Sequence, residues 1–204
     1  MAGAITTRRW IFIGLAALLL IGLASATDPW AYHHLQKRDV YDTDWGRALR
    51  SVGYLPIWIL VSLACWLERP VDGTGRWRAA ILAGSVTLAG LLGELLKVVI
   101  RRERPGAHDG AYGFRPWADH PWSSGGFGMP SSHALIAFSA AAALTHLFPR
   151  AAPIWYALAI GCGVTRVLAG AHFVSDVVVG ALIGIATSVW LAQTIDARLP
   201  HAAA

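Results

Sequence analysis

Six apolar runs divide the chain: Trp10–Ala26, Gly53–Leu67, Ala79–Ile100, Ser131–Phe148, Ala151–Leu168 and Phe173–Ile195. A helix that crosses the hydrocarbon core of a bilayer needs about 20 mostly apolar residues, with about 17 as a working minimum. The third and sixth runs exceed this length, the first, fourth and fifth are adequate, and the second is short. The pattern predicts an all-α integral membrane bundle of about six transmembrane helices, forming a single domain over residues 1–204. The intervals between runs are mostly short, and no internal repeat interrupts them. In the last run Gly180 and Gly184 form a GxxxG face suited to close helix packing.

The first run carries a second reading. Arg8 and Arg9, then IFIGLAALLLIGL, then Ala24-Ser25-Ala26, imitate a secretory signal with an A-x-A cleavage site. Retention as the first membrane helix is the expectation, because removal of residues 1–26 would leave five spans. The interval that follows holds Trp30, Tyr32, Tyr41 and Trp45, aromatic residues that suit a membrane–water interface, and predicts a short interfacial helix. His33 and His34 in it are expected at the surface.

Composition agrees with lipid as the main solvent. The chain is 55% hydrophobic and only 14% charged, with ten tryptophans and a mean hydropathy of +0.49, whereas soluble domains carry about 25% charged residues. The formal net charge of +5 is therefore read as topology signal or affinity for anionic head groups, not for nucleic acid. Cys65 and Cys162 lie in apolar runs without metal-like spacing and are read as buried free thiols. Basic residues are nearly balanced between the two sides. The flanks of the first helix, Arg8 and Arg9 before it and Asp28 after it, place the N-terminus inside and the long interval Arg101–Pro130 outside.

Ionisable residues within or beside membrane spans are costly and tend to be functional. Here they gather where alternating spans end on one face. Lys97 lies near the end of the third run and Arg104 just beyond it, Ser131, Ser132 and His133 open the fourth, Arg166 closes the fifth, and His172 and Asp176 open the sixth. Three cations, two imidazoles and a carboxylate at one rim suit a phosphate, since arginine presents paired donors and lysine a compact charge. A helix start adds free backbone N–H groups and the positive end of its dipole. His172 and Asp176 are four residues apart, hence on one helical face. A carboxylate there can hold one imidazole nitrogen protonated and leave the other free to attack phosphorus.

Read together, KVVIRRERP (Lys97 to Pro105), PSSH (Pro130 to His133) and TRVLAGAHFVSD (Thr165 to Asp176) resemble the three-part signature of the type 2 phosphatidic acid phosphatase superfamily. Its membrane members are similar in their six-span plan. The resemblance covers roughly residues 95–184, and two positions depart from it: Ser132 stands for the family glycine and Thr165 for its first serine. It implies phosphoryl transfer through a covalent phosphohistidine, with no cofactor and no metal. Lys97, Arg104, Ser131, Ser132 and Arg166 would bind the phosphate. His172 would attack phosphorus while Asp176 orients it, and His133 would protonate the leaving oxygen and then activate water.

The expected substrate is a lipid phosphate or diphosphate at a bacterial inner membrane, with the site facing the periplasm. A lipid phosphotransferase using the same phosphohistidine is the nearest alternative, and an anion-binding membrane transporter is a more distant one. Other polar residues are given lesser parts. Arg101, Arg102 and Arg115 are expected to meet head groups and Glu94 to pair with Lys97. His108 and His120 are expected to be solvated, and Trp117, Trp122 and Phe127 to anchor the loop. His146 should lie at the far end of its span.

Overall fold

The computed structural model describes residues 7–68 and 74–198. Over these the chain is helical: α1 (Thr7–Leu35), α2 (Asp44–Ser51), α3 (Leu55–Leu67), α4 (Thr74–Ile100), α5 (Ser132–Leu147), α6 (Ala152–Leu168) and α7 (Val174–Asp196), with three single 3-10 turns. Outside the helices, the described residues form only two isolated β-bridges, Arg102 with Phe114 and Glu103 with Phe127. Both lie in the α4–α5 loop.

Four helical segments are long and apolar enough to cross a membrane, Arg8–Leu35, Gly75–Ile100, Pro149–Leu168 and Val174–Asp196. The short α2 and the apolar α3 meet at a 62° bend and make a fifth if counted as one span. The sequence pattern counted six. The fourth run, Ser131–Phe148, forms α5, whose 16 residues reach only about 24 Å at 1.5 Å per residue, less than a hydrocarbon core of about 30 Å. Its surroundings explain the shortfall. Ten of its residues, from Ala134 to Leu144, are buried inside the protein, so neighbouring helices, not lipid, cover its apolar surface.

Small side chains make this enclosure possible. Ala134, Ala137, Ala140, Ala141, Ala142 and Ala143 let α4, α6 and α7 approach α5 from different sides. On α7, a Cβ at Gly180 would come within 2.8 Å of the Ser131 carbonyl oxygen, and one at Gly184 within 2.3 Å of the Leu135 oxygen. The GxxxG face therefore sets the distance between α5 and α7. Leu82, Val86, Leu135 and Leu144 fill the core between α4 and α5.

α1 runs well past the expected end at Ala26, continuing through Pro29 to Leu35, so Trp30 and Tyr32 stand on the first membrane helix and not on a separate interfacial one. Proline lacks the N–H that would bond the carbonyl four residues back, here that of Ser25. The Tyr112 hydroxyl oxygen, on the α4–α5 loop, lies 3.3 Å from that carbonyl oxygen, beside the Asp28 carboxylate to which it donates. Most of α1 presents exposed apolar side chains, among them Phe12, Leu15, Leu18 and Leu19. Its membrane-facing surface is met by lipid. The expected interfacial helix is α2, capped by the Thr43 hydroxyl, which accepts from the Gly46 N–H at 3.3 Å. His33 and His34 are exposed.

Candidate active site

Three helix ends and one loop build the site. Ser131 takes the N-cap position of α5, but its hydroxyl makes no cap hydrogen bond. It is fully buried and has no hydrogen-bond partner among the described residues. The first N–H groups of α5, beginning at Ser132 and His133, have no intrahelical acceptor and lie at the positive end of the helix dipole. The Ser131 backbone N–H donates to the Asp176 carbonyl at 3.0 Å, which ties the start of α5 to the first turn of α7.

The cations reach this point from three directions. Lys97, in the last turn of α4, is 7% exposed. It donates to Glu94 Oε1 at 2.8 Å and to the Ser132 hydroxyl, which itself donates to Glu94 at 3.0 Å. The expected Glu94–Lys97 pair is present, and the serine that replaces the family glycine joins it. Arg166, near the end of α6, is buried, and its Nη1 donates to the Tyr41 hydroxyl at 2.7 Å. Its Nε has no partner among the described residues. Arg104 is exposed beyond α4, and its charge bears on both Arg166 and His172.

His172 lies in the turn between α6 and α7 and is 4% exposed. Its Nδ1 is 2.9 Å from the Gly128 carbonyl oxygen. A carbonyl can only accept, so Nδ1 carries the hydrogen and Nε2 the lone pair. Asp176 was the expected holder of this nitrogen, but its Oδ2 stands 3.6 Å away, an electrostatic neighbour beyond hydrogen-bond reach. Burial lowers the His172 pKa below the ordinary histidine value, while Asp176 opposes that shift. The imidazole is thus held neutral. A Cβ at residue 128 would come within 2.8 Å of Asp176 Oδ2, so only glycine lets this carbonyl reach the ring. Nothing in the sequence marks a backbone carbonyl as a partner, and Gly128 was missed for that reason.

Asp176 is occupied by other groups. Its Oδ2 accepts the Phe173 backbone N–H at 2.9 Å, and its Oδ1 is paired with the Arg102 guanidinium. Arg102 Nη2 also donates to the Ser175 hydroxyl at 2.7 Å. Ser175 in turn bonds Asp28 of α1 through its hydroxyl and through its N–H, the latter at 3.0 Å. Tyr112 donates to the same carboxylate at 2.7 Å. Arg102, expected at head groups, is instead 4% exposed, because a buried carboxylate must be paired or bonded.

Arg101 corrects the same expectation. It is 2% exposed, with guanidinium bonds to the carbonyls of Arg115, Pro116, Asp119 and Pro121, and it lies between the Trp117 and Phe127 rings. Arg115 pairs with Glu103 at 2.9 Å. These arginines hold the α4–α5 loop over the site. Trp117 and Phe127 are the expected anchors, whereas Trp122 is 86% exposed. His120 is exposed as expected, while His108 pairs with Glu103 at 2.7 Å. His133 stands in the first turn of α5, where the charges of Arg166, Arg50 and Lys97 bear on it. His146 pairs with Asp196 at 3.1 Å at the other end of the bundle.

All eight sequence-selected side chains thus come to one end of the helices, while no three His, Cys, Asp or Glu residues among the described ones form a metal-binding group. In comparison with known proteins, the family model described as "PAP2 superfamily" matches residues 78–200. The chain belongs to the PAP2 superfamily. This PAP2 chain is also 41% identical over 110 residues to a lipid A 1-phosphatase of Rhizobium johnstonii, a stretch covering 53% of this chain and 44% of that relative. It is 40% identical over 110 residues to a lipid A 1-phosphatase of Rhizobium etli, covering 53% and 46%. The match therefore spans less than half the length of either relative. No solved structure gives a significant match.

Proposed function

We propose that the chain is a metal-independent phosphatase that removes the terminal phosphate from a phosphomonoester or diphosphate of a membrane lipid through a phosphohistidine intermediate. The observation that carries this reading is a pair of buried donors without an acceptor among the described residues, Ser131 Oγ at the start of α5 and Arg166 Nε near the end of α6, at the end of the bundle where Lys97, His133 and His172 also lie. A buried donor without an acceptor is costly. A phosphate oxygen supplies the missing acceptor, and the free N–H groups at the start of α5 suit the same anion.

The chemistry follows from the tautomer. His172 Nε2 attacks phosphorus, a P–N bond forms, and the bond to the leaving oxygen breaks with its electron pair remaining on that oxygen. His133 protonates the departing oxygen and then takes a proton from water, which attacks the phosphohistidine and restores His172. Lys97, Arg104 and Arg166 stabilise the charge on the transferred group, with Ser131 and the backbone at Ser132 completing the cradle. Asp176 stabilises the cationic phosphoimidazole from 3.6 Å. The Gly128 carbonyl aims the ring.

A lipid substrate suits the setting, since the site lies at one end of a bundle whose helices are long enough to span a bilayer and the relatives' names specify a lipid phosphate. Lipid A is one candidate, beside phosphatidic acid, phosphatidylglycerol phosphate and undecaprenyl diphosphate. The flanks of α1 support a site on the periplasmic side, and the expected location is the inner membrane. The test is phosphate release from a panel of these lipids by detergent-purified protein, with and without chelator. Activity should survive chelation and fall at least 10³-fold in His172→Ala, given that a covalent nucleophile is lost. Undiminished release by that variant removes the phosphohistidine from the mechanism, and loss on chelation that divalent metal restores removes metal independence.

A further inference from the structure

The N-terminal third contributes a cation to the site that none of the three motifs contains. Arg50 ends α2, and the chain there is pressed against His133. A Cβ at Gly53 would come within 2.7 Å of the His133 Cα, and the Cys162 thiol is 3.9 Å from both the Arg50 and the His133 carbonyl oxygens. The Arg50 guanidinium lies over the Tyr41 ring, 4.8 Å from its centroid. Arg166 lies 5.7 Å from the same centroid and bonds the Tyr41 hydroxyl. One aromatic ring thus carries a motif arginine and a non-motif arginine together.

Their charges are not compensated locally. Arg47, one turn earlier on α2, is paired with Asp44 at 2.5 Å, but among the described residues neither Arg50 nor Arg166 has a carboxylate partner. The charges of Arg50 and Arg104 both bear on Arg166. Such a cluster of like charges is held against its own repulsion and favours an anion.

Which part of the substrate Arg50 meets follows from the side it occupies. In phosphoryl transfer the attacking and leaving atoms lie roughly in line across phosphorus. With His172 as nucleophile and His133 as acid, as in the function proposed above, the His133 side is the leaving-group side. The charge of Arg50 bears on His133, which associates it with that side. We infer that Arg50, held on Tyr41, binds the lipid-borne phosphate that departs when the substrate is a lipid diphosphate, and so sets preference for diphosphates over monophosphates. In that reaction Nε2 of His172 bonds the terminal phosphorus, the phosphoanhydride P–O bond breaks, and its electron pair leaves on the lipid monophosphate, whose new negative charge Arg50 receives.

Arg50 is exposed, so its replacement is not expected to disturb folding. The test compares wild type, Arg50→Gln and Arg50→Lys in detergent micelles on a prenyl diphosphate and a prenyl monophosphate bearing the same chain. In Arg50→Gln, kcat/KM for the diphosphate should fall about tenfold or more, the scale of a lost charge-assisted contact, while that for the monophosphate changes less than about threefold. Arg50→Lys should recover part of the preference. An unchanged ratio of the two values in Arg50→Gln overturns the inference, as does wild-type turnover of the monophosphate alone. Wild-type inactivity on both prenyl substrates and on the rest of the lipid panel would remove the phosphatase reading itself.

Discussion

Arg102 and Arg104 stand two positions apart in one basic run, yet one is buried against a carboxylate and the other is exposed. The motif that marks Arg104 is silent about Arg102, and the charge alone suggested a head-group contact. What separates them is the buried acid: Asp176 is fully buried and needs a counter-charge. By neutralising Asp176, Arg102 limits how strongly that carboxylate favours the imidazolium form of His172. Its removal therefore raises the His172 pKa from the low value set by burial. Protonated His172 cannot attack phosphorus, so wild-type kcat should hold to below about pH 6.5, the ordinary histidine value. In Arg102→Gln the acid limb should move to higher pH on the same substrate, with Arg102→Lys in between. Breaking a buried pair by removing one partner costs about 3–5 kcal/mol, so a lower Tm should accompany the shift. A lower Tm with an unmoved limb would reduce Arg102 to a structural part.

At the scale of elements, the site's precision rests on how closely α5 and α7 approach, since one carries Ser131 and His133 and the other Asp176. Gly184→Val places a branched side chain where even a Cβ would be 2.3 Å from the Leu135 oxygen and 3.0 Å from the Ser139 nitrogen. Backbone atoms cannot swing aside, so the helices must part, at a cost of about 1–3 kcal/mol or more. A displacement near 1 Å can lower turnover about 10²-fold. Gly184→Val should therefore show a lower Tm and a kcat reduced on that order. Gly90→Ala, with nothing within 4 Å of its added Cβ, should alter neither. The GxxxG spacing made this contact readable in advance. The length of α5 was not readable, because an apolar run has the same composition whether lipid or protein covers it. Nor was the extension of α1 through Pro29 to Leu35, since proline ordinarily marks the end of a helix.

For the whole molecule, the alternation of apolar runs already brought the charged ends to one face, and the eight selected side chains meet there. The unread part is what joins the N-terminal third to that face: Tyr41 beneath Arg166, Asp28 beneath Ser175, and Arg50 beside His133. These links are long in sequence separation and have no local pattern. They also bind the topology of the membrane to the chemistry, since α1 and the α4–α5 loop are held together through Asp28 and Tyr112. Whichever side of the bilayer receives the loop must therefore receive the phosphate. The loop tip supplies a probe: Trp122 is 86% exposed and lies outside the pocket. Trp122→Cys, in a Cys65→Ser and Cys162→Ser background, should react with a membrane-impermeant maleimide in cells whose outer membrane alone is permeabilised, before lysis. With the N-terminus inside, as Arg8 and Arg9 before α1 suggest, that outcome is expected. Labelling only after lysis would place the loop, and hence the His172 site, on the cytoplasmic side, because the side chains that tie them together cannot be divided between two faces.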